Sequence, residues 1–161
     1  MASVLLALMR HGKAEPKKPG MSDDERELTL EGREEVLRTI RVLNLRPRYV
    51  VSSPLRRALQ TAELVSRAIG GVEVQTRREL VPEIFRLEEL RTLLASLNAG
   101  KDDVIMIVGH SPSLEDVVQE LLNGFRIYLP PASLVCLEVK YPELSDALIR
   151  LYIRPEYLTP P

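Results

Sequence analysis

The chain has 161 residues, of which 45% are hydrophobic and 28% are charged, and its formal net charge is −1. This length is sufficient for one domain with a buried core, and the lack of a basic excess argues against nucleic acid as a partner. The single cysteine, Cys136, excludes a disulfide within the chain and favours a cytoplasmic location. The N-terminal apolar run is too short to span a membrane and lacks the basic leader of a signal peptide. We therefore expect one cytoplasmic domain covering residues 1–161, without a membrane partner.

The first predicted strand ends in a polar pair. Residues 3–7 are almost entirely apolar, which is typical of a strand buried on both faces of a parallel sheet, and the run stops at Arg10-His11-Gly12. Arginine presents a planar fork to phosphate oxygens, and histidine offers a nucleophilic ring nitrogen. The pair therefore indicates a phosphate site at the carboxyl end of this strand.

The rest of the chain alternates between helical and strand patterns. A polar loop over residues 13–27 contains too many prolines, glycines and charges for regular structure, and Thr29 is placed to cap the next helix. Two later helices are predicted to begin at Ser53-Pro54 and Ser111-Pro112, with serine as the cap and proline in the first position. The predicted helices cover residues 30–43, 54–69, 87–99 and 112–123, and the later strands cover residues 48–52, 72–76, 104–108, 133–140 and 147–153.

This order of elements predicts an α/β fold. Strands that alternate with helices form a three-layer helix–sheet–helix sandwich with a mostly parallel sheet. Residues 133–153 read as an antiparallel hairpin at the edge of the sheet, with the turn over residues 142–146, and the tail from residue 155 is expected to be loosely held. Cys136 lies within an apolar strand and is predicted to be in the core.

The second histidine of the chain also follows a buried strand. His110 comes directly after the apolar residues 104–108, and in open α/β sheets ligands bind at the carboxyl ends of the strands. The two predicted Ser-Pro helix starts add N-terminal N–H groups at the same edge, which favour an anion. An arginine in the first turn after Pro54 would reach this anion, but helical periodicity does not choose between Arg56 and Arg57.

Together these motifs resemble the histidine phosphatase superfamily, which has a phosphoglycerate mutase-like fold. Residues 8–12 resemble its Arg-His-Gly signature, residues 52–63 resemble its block Ser-Ser-Pro-x-x-Arg-Ala-x-Gln-Thr-Ala, and Gly109-His110 is similar to its third block. Residues 28–32 and the short length resemble the small SixA-type phosphohistidine phosphatases.

The resemblance implies a role for each site residue. His11 would be the nucleophile that accepts the phosphoryl group, and water would then hydrolyse the phosphohistidine. The groups expected to bind the phosphoryl oxygens are Arg10, Arg57 and His110, with Ser111 as a further phosphate-binding candidate. The family pattern selects Arg57 and leaves Arg56 as a surface charge.

One carboxylate is left open between two interpretations. Glu83 falls where the family often has a carboxylic general acid, but surface glutamates are common. Because arginine and histidine supply the positive charge, no metal and no other cofactor are expected. The same cations are expected to disfavour protonation of His11 near neutral pH.

The leading hypothesis is a phosphatase that removes phosphoryl groups from phosphohistidine on a protein, for example a histidine-containing phosphotransfer protein. About thirty residues separate the strands at 72–76 and 104–108, which leaves little material for a lid and suggests an open mouth. The alternatives are a small-molecule phosphomonoesterase or mutase of the same superfamily and a non-catalytic phosphate-binding module, although a pure binder needs no nucleophile. Four cationic side chains could also draw an acidic partner to the site: Lys13, Lys17, Lys18 and Arg26.

Overall fold

A six-stranded sheet forms the centre of the fold in the computed structural model, which describes residues 2–160. Its strands are β1 (Ala2–Arg10), β2 (Tyr49–Ser52), β3 (Val74–Thr76), β4 (Val104–Gly109), β5 (Leu134–Tyr141) and β6 (Ser145–Ile153). The order across the sheet is β3-β2-β4-β1-β5-β6, in which the first four strands are parallel and β5 and β6 form an antiparallel hairpin at one edge. The expected mostly parallel sheet with an antiparallel edge is confirmed.

Helices cover both faces of this sheet. They are α1 (Leu30–Val42), α2 (Arg56–Ala68), α3 (Leu87–Ser96) and α4 (Ser113–Leu121). The apolar residues of α1 and α2 form one core with one face of the sheet, and those of α3 and α4 form a second core with the opposite face. The three-layer sandwich is therefore confirmed. None of the helices that the structure describes has the length and apolar character needed to cross a membrane.

The apolar run in β1 follows from the burial of this strand on both faces. Leu6 and Leu8 pack in the core on the α3 and α4 side, whereas Ala7 and Met9 pack in the core on the α1 and α2 side, and all four are fully buried. Because side chains alternate between the two faces of a strand, a strand covered on both faces needs apolar residues at successive positions.

The register between β1 and β4 determines where the two histidines lie. Arg10 pairs with Gly109 in the parallel ladder. Since parallel strands run in the same direction, the residues that follow this pair, His11 and His110, leave the sheet side by side.

The two predicted Ser-Pro helix starts are wrong. Helix α2 begins at Arg56 with Leu55 as its N-cap, and α4 begins at Ser113 with Pro112 as its N-cap. Ser53 instead accepts a hydrogen bond from the backbone N–H of Leu55, so its hydroxyl stabilises the turn between β2 and α2. The Ser-Pro pairs lie in the turns that join each strand to the next helix, and each helix begins after its pair.

Three loop predictions also need correction. Helix α3 ends at Ser96 rather than at residue 99, because Asn98 adopts a left-handed conformation (φ 53°) that closes the helix. The loop over residues 13–27 contains a 3-10 turn at Asp23–Glu25, and its ends are joined by an antiparallel bridge between Ala14 and Leu28. The tail forms a further 3-10 turn at Pro155–Tyr157 that packs against α1; Pro161 lies outside the described residues.

Two predictions about single residues are confirmed. Thr29 caps α1 through its hydroxyl, which accepts a hydrogen bond of 2.9 Å from the N–H of Gly32. Cys136 is buried in the core between the sheet and helices α1 and α2.

Two glycines allow the chain after His11 to contact the first turn of α1 through backbone atoms. A Cβ atom on Gly32 would lie 2.1 Å from the carbonyl oxygen of Lys13, and one on Gly12 would lie 2.8 Å from the carbonyl oxygen of Gly32. Neither position can hold a larger residue unless the backbone moves. This contact places the loop that follows the Arg10-His11 pair.

We therefore expect Gly32→Ala to destabilise the protein, although alanine normally stabilises a helix by roughly 0.5–1 kcal/mol relative to glycine. The free energy of unfolding, measured by urea denaturation, should fall by about 1–3 kcal/mol because the new methyl group overpacks the Lys13 backbone. Gly100→Ala is the matched control, since its Cβ would meet no atom closer than 3.9 Å. Equal stability of Gly32→Ala and wild type would contradict this account.

Candidate active site

The carboxyl ends of β1 and β4 open into a cleft of about 300 Å³. The lining residues are Arg10, His11, Lys13, Ala14, Arg26, Arg57, Pro82, His110, Ser111 and Pro131. The structure thus brings together five of the six residues that the sequence proposes for the site. The sixth, Glu83, is exposed and lies outside the lining of the cleft, although its neighbour Pro82 belongs to it.

The ring of His11 has a defined orientation. Its Nδ1 atom lies 2.7 Å from the carbonyl oxygen of Gly12, which can only accept a hydrogen bond, so Nδ1 carries the proton. The other nitrogen, Nε2, therefore holds a lone pair, and Arg57 Nε donates to it over 3.2 Å. This is a tautomer that a nucleophilic histidine can use, because it leaves the lone pair on Nε2.

The surroundings keep His11 uncharged. Burial lowers the pKa of its imidazole to about 4, and the positive charges of Arg57, Arg10 and Arg26 contribute in the same direction. The hydrogen bond to the Gly12 carbonyl acts against this shift and does not outweigh it. The lone pair on Nε2 is consequently available throughout the neutral pH range.

Arg57 lies on the buried face of α2, where helical periodicity had not placed it. The buried side of this helix consists of Arg57, Ala58, Thr61, Ala62, Val65 and Ser66, whereas Leu59 is half-exposed. The buried side of α2 therefore includes a charged residue that an apolar pattern cannot reveal. Arg56 is exposed and pairs with Glu27 at 2.9 Å, which agrees with its interpretation as a surface charge.

Asp23 holds the guanidinium of Arg57 from the far side. Arg57 Nη1 donates to the Asp23 carbonyl oxygen at 3.0 Å, and Nη2 donates to the Asp23 carboxylate at 3.2 Å. The other carboxylate oxygen accepts a hydrogen bond of 2.9 Å from Arg26 Nε. Burial acts to raise the pKa of Asp23, but the positive charges of Arg57 and Arg26 outweigh burial and lower this pKa.

No sequence pattern pointed to Asp23, because only the folding of the loop brings it to α2.

Arg10 is anchored beneath the same cleft. Its Nη1 atom donates to the carbonyl oxygen of Leu129 at 3.1 Å, and its Nε atom is buried without a hydrogen-bond partner in residues 2–160. A buried donor without a partner is costly, and a bound anion would supply the missing acceptor.

His110 completes the cleft beside His11. The ring centroids are 5.2 Å apart with an angle of 60° between the planes, and His110 Nε2 lies 2.8 Å from Ser53 Oγ. Burial lowers the pKa of His110 to about 3, and a protonated His11 and the charge of Arg57 act in the same direction. Ser111, the next residue, lines the cleft mouth.

Two polar residues of α2 tie the loop to the site, and the sequence analysis had not singled them out. Thr61 Oγ1 accepts a hydrogen bond of 3.1 Å from the N–H of Gly12, and Gln60 Oε1 accepts one of 2.8 Å from the N–H of Leu28. Both residues lie within the Gln-Thr-Ala part of the second family block. That pattern was the available signal for their role.

The cationic loop residues are mostly paired with acids. Lys13 pairs with Glu31 at 2.7 Å, and Lys18 with Glu15 at 3.6 Å. Of the four cations that the sequence proposed for an acidic partner, Lys13 and Arg26 line the cleft. Recruitment of an acidic partner stays a prediction. Within residues 2–160 no group of three or more His, Cys, Asp or Glu side chains is arranged to hold a metal ion.

Comparisons with known proteins bear on this site. Residues 6–85 match the family model of the histidine phosphatase superfamily (branch 1), and this segment contains Arg10, His11 and Arg57. An uncharacterized protein of Picosynechococcus sp. is 27% identical over 164 residues, which cover 96% of this chain and 99% of that protein.

Solved structures share the fold. The protein histidine phosphatase SixA complexed with tungstate superimposes with a TM-score of 0.81 at 21% identity, covering 94% of this chain and 97% of that one. A mutant phosphoserine phosphatase from Entamoeba histolytica in complex with phosphoserine gives a TM-score of 0.72 at 16% identity, covering 97% and 100%. Since these names differ in substrate, the fold alone does not select one.

The burial of two neutral histidines predicts a pH dependence of stability. The unfolded chain binds protons at these histidines near pH 6.5, whereas the folded chain does so only near pH 4 for His11 and pH 3 for His110. Because the unfolded state binds more protons between these values, the free energy of unfolding falls as the pH is lowered from 6.5 towards 4. Each histidine contributes up to about 1.4 kcal/mol per pH unit.

Urea denaturation at pH 7, 6 and 5 measures this slope. His11→Gln should show a smaller slope than wild type, because glutamine does not titrate. An NMR titration of the folded protein in which either ring has a midpoint near pH 6.5 would contradict the prediction.

Proposed function

Because this chain belongs to the histidine phosphatase superfamily, we propose that it hydrolyses phosphohistidine on a protein through a covalent intermediate on His11. Family membership supports phosphatase activity, and the geometry of the cleft supports the finer assignment. The observation that carries it is the lone pair of His11 Nε2, which the Gly12 carbonyl directs into a cleft with the guanidinium groups of Arg10 and Arg57.

The first step transfers the phosphoryl group to the enzyme. The Nε–H of Arg57, which donates to His11 Nε2 in the resting protein, turns to a phosphoryl oxygen and frees the lone pair. Nε2 of His11 then attacks phosphorus while the bond from phosphorus to the substrate imidazole breaks, and the leaving ring nitrogen keeps the electron pair and takes a proton from solvent. Arg10, Arg57 and His110 bind the phosphoryl oxygens, and Ser111 adds a hydroxyl at the mouth of the cleft. Phosphoryl transfer depends mainly on such positioning and charge stabilisation, so the proposed mechanism uses no metal.

The second step returns the enzyme to its starting state. A water molecule attacks the phosphorus of the His11 intermediate, the bond from phosphorus to Nε2 breaks with its electrons returning to Nε2, and orthophosphate leaves. While phosphorus is attached, the His11 ring carries more positive charge, and the hydrogen bond from Nδ1 to the Gly12 carbonyl strengthens. The same contact therefore sets the tautomer and stabilises the intermediate.

The shape of the cleft supports a protein substrate. Between β3 and β4 the chain forms a 3-10 turn and α3, and the leucines of α3 at positions 90, 93 and 94 are fully buried in the core. Helix α3 therefore packs in the core, and of the residues between β3 and β4 the cleft lining contains Pro82. A cleft that this segment does not cover can admit a loop or helix of a phosphorylated protein, such as a histidine-containing phosphotransfer protein.

A second candidate is a phosphatase for small phosphate esters. The cleft of about 300 Å³ is large enough for a small ligand, and Glu83 directly follows the lining residue Pro82. An alkoxide leaving group is strongly basic and needs a positioned acid. An imidazole leaving group is much less basic, so it can take its proton from solvent. Glu83 is proposed as a general acid only for the ester reaction.

The covalent intermediate provides the direct test. Incubation with phosphohistidine protein labelled in the phosphoryl group, followed by rapid quenching in base, should leave one acid-labile phosphate per chain. His11→Ala should form none and lose turnover, because the attacking nitrogen is absent. Turnover of His11→Ala near the wild-type rate, measured in the presence of a chelator, would overturn the mechanism.

The two neighbouring arginines provide a matched pair. Arg57→Ala should lower kcat by at least about a hundredfold, the scale for loss of one electrostatic stabiliser, because Arg57 contacts His11 Nε2. Arg56→Ala should change the rate less than about twofold, since Arg56 pairs with Glu27 at the surface. The reverse ranking would show that the wrong arginine has been assigned to the phosphoryl group.

Glu83 separates the two substrate classes. Glu83→Gln should barely slow hydrolysis of phosphohistidine protein and should slow hydrolysis of a phosphoserine peptide or a small phosphate ester by about a hundredfold or more. Wild-type turnover of an alkyl phosphate that equals turnover of phosphohistidine, with strong dependence on Glu83, would favour the small-molecule phosphatase. Large and equal losses on both substrates would mean that Glu83 shapes the cleft.

A further inference from the structure

Ser53 and His110 form a buried polar pair beneath the cleft. Ser53 is fully buried at the end of β2, His110 is 2% exposed, and Ser53 Oγ lies 2.8 Å from His110 Nε2. The other ring nitrogen, His110 Nδ1, is buried and has no hydrogen-bond partner in the described part of the chain. Nε2 of this histidine is therefore hydrogen-bonded within the protein, whereas Nδ1 is left for a hydrogen bond to a ligand.

The hydrogen bonds of the serine indicate where the imidazole proton lies. Ser53 Oγ already accepts a hydrogen bond of 3.2 Å from the N–H of Leu55. A hydroxyl can accept two hydrogen bonds and donate one, and across residues 2–160 its hydrogen has no other acceptor than His110 Nε2. Donation from Ser53 to Nε2 uses the hydroxyl hydrogen and places the single proton of a neutral imidazole on Nδ1.

We propose that Ser53 is a positioning residue that holds His110 in its Nδ1–H tautomer, so that Nδ1 donates a hydrogen bond to a phosphoryl oxygen. The opposite tautomer would present a lone pair to that oxygen, which repels it. This inference rests on the proposed function for the part of His110 that faces the phosphoryl group, whereas the tautomer itself is a property of the resting protein.

The uncharged state of His110 is what gives the tautomer its importance. A charged imidazolium would donate from both nitrogens without help. Burial lowers the pKa of His110 to about 3, with further contributions from His11 and Arg57, so the ring is neutral at pH 7 and has one N–H to place. A hydrogen bond at one ring nitrogen decides which of the two carries that proton.

Ser52 offers a matched control. It precedes Ser53, is equally buried, and its hydroxyl donates to the Ser53 carbonyl oxygen at 2.8 Å, with no hydrogen bond to a histidine within residues 2–160. Removing either hydroxyl deletes one buried oxygen atom at the end of β2, but only removal of the Ser53 hydroxyl affects the imidazole.

Nitrogen-15 NMR of the full-length protein at pH 7 tests the tautomer directly. The chain has two histidines, so the spectrum contains four ring nitrogens, and His11→Ala assigns them. In the wild type, His110 should carry its proton on Nδ1. In Ser53→Ala the proton should move to Nε2 or distribute between both nitrogens, and Ser52→Ala should keep the wild-type pattern. Wild-type His110 protonated on Nε2, or an unchanged tautomer in Ser53→Ala, would overturn the proposal.

Binding and rate measurements test the consequence of the tautomer. Ser53→Ala should weaken binding of inorganic phosphate and lower kcat by about tenfold to a hundredfold, the scale for removing a partner that orients a functional histidine. Ser52→Ala should change both by less than about twofold. If Ser53→Ala does not fold, Ser53→Cys replaces it. The thiol is a weak donor, so phosphate affinity and kcat should fall less than the amounts expected for Ser53→Ala. The tautomer of His110 in the wild-type protein then still tests the proposal. Failure of the phosphohistidine assay would leave the tautomer and phosphate-binding results intact and would count against the substrate assignment alone.

Discussion

The parallel pairing of β1 with β4 joins Arg10 to Gly109, and each strand then releases a histidine into the same cleft. Because consecutive hydrogen bonds in the ladder determine this register, a shift by one residue would separate the rings, which lie 5.2 Å apart, and would turn every side chain of β1 to the opposite core. Both faces of β1 are packed with apolar side chains, so such a shift would disturb two cores at once. The stability of the sandwich and the geometry of the site therefore depend on the same strand pair.

The charges around the cleft form a second constraint. The guanidinium of Arg57 is nearly buried, and burying an unpaired charge is strongly unfavourable. Asp23 offsets this cost by accepting from both terminal nitrogens of Arg57, while the remaining Nε–H donates to His11. Arg10 and His110 each retain a buried nitrogen without a partner in residues 2–160, and these two atoms lie on residues that line the cleft. An anion with several oxygen atoms matches this set of donors.

Local sequence patterns stop being informative at the end of β2 and along α2. Helix propensity located the turn after β2, but it placed the helix start at Pro54 rather than Arg56, because Ser53 lies in the turn just after β2, next to His110. Helical periodicity did not choose between Arg56 and Arg57, since it assumes that the inner face is hydrophobic and the inner face of α2 contains the buried Arg57. Both of these departures lie beside the candidate site, where polar side chains occupy buried positions.

The sequence by itself determined the elements whose signal lies in neighbouring residues. The apolar runs of β1 and β4, the cap at Thr29, the α/β class and the motifs around His11, Arg57 and His110 could all be read without a structure, because burial on both faces and helix capping depend on local order. Only the tertiary structure decided that Asp23 holds Arg57, that Ser53 contacts His110, and that Glu83 lies outside the cleft lining. These facts join residues from different elements, and they depend on how loops pack across the end of the sheet, which no short stretch of sequence encodes.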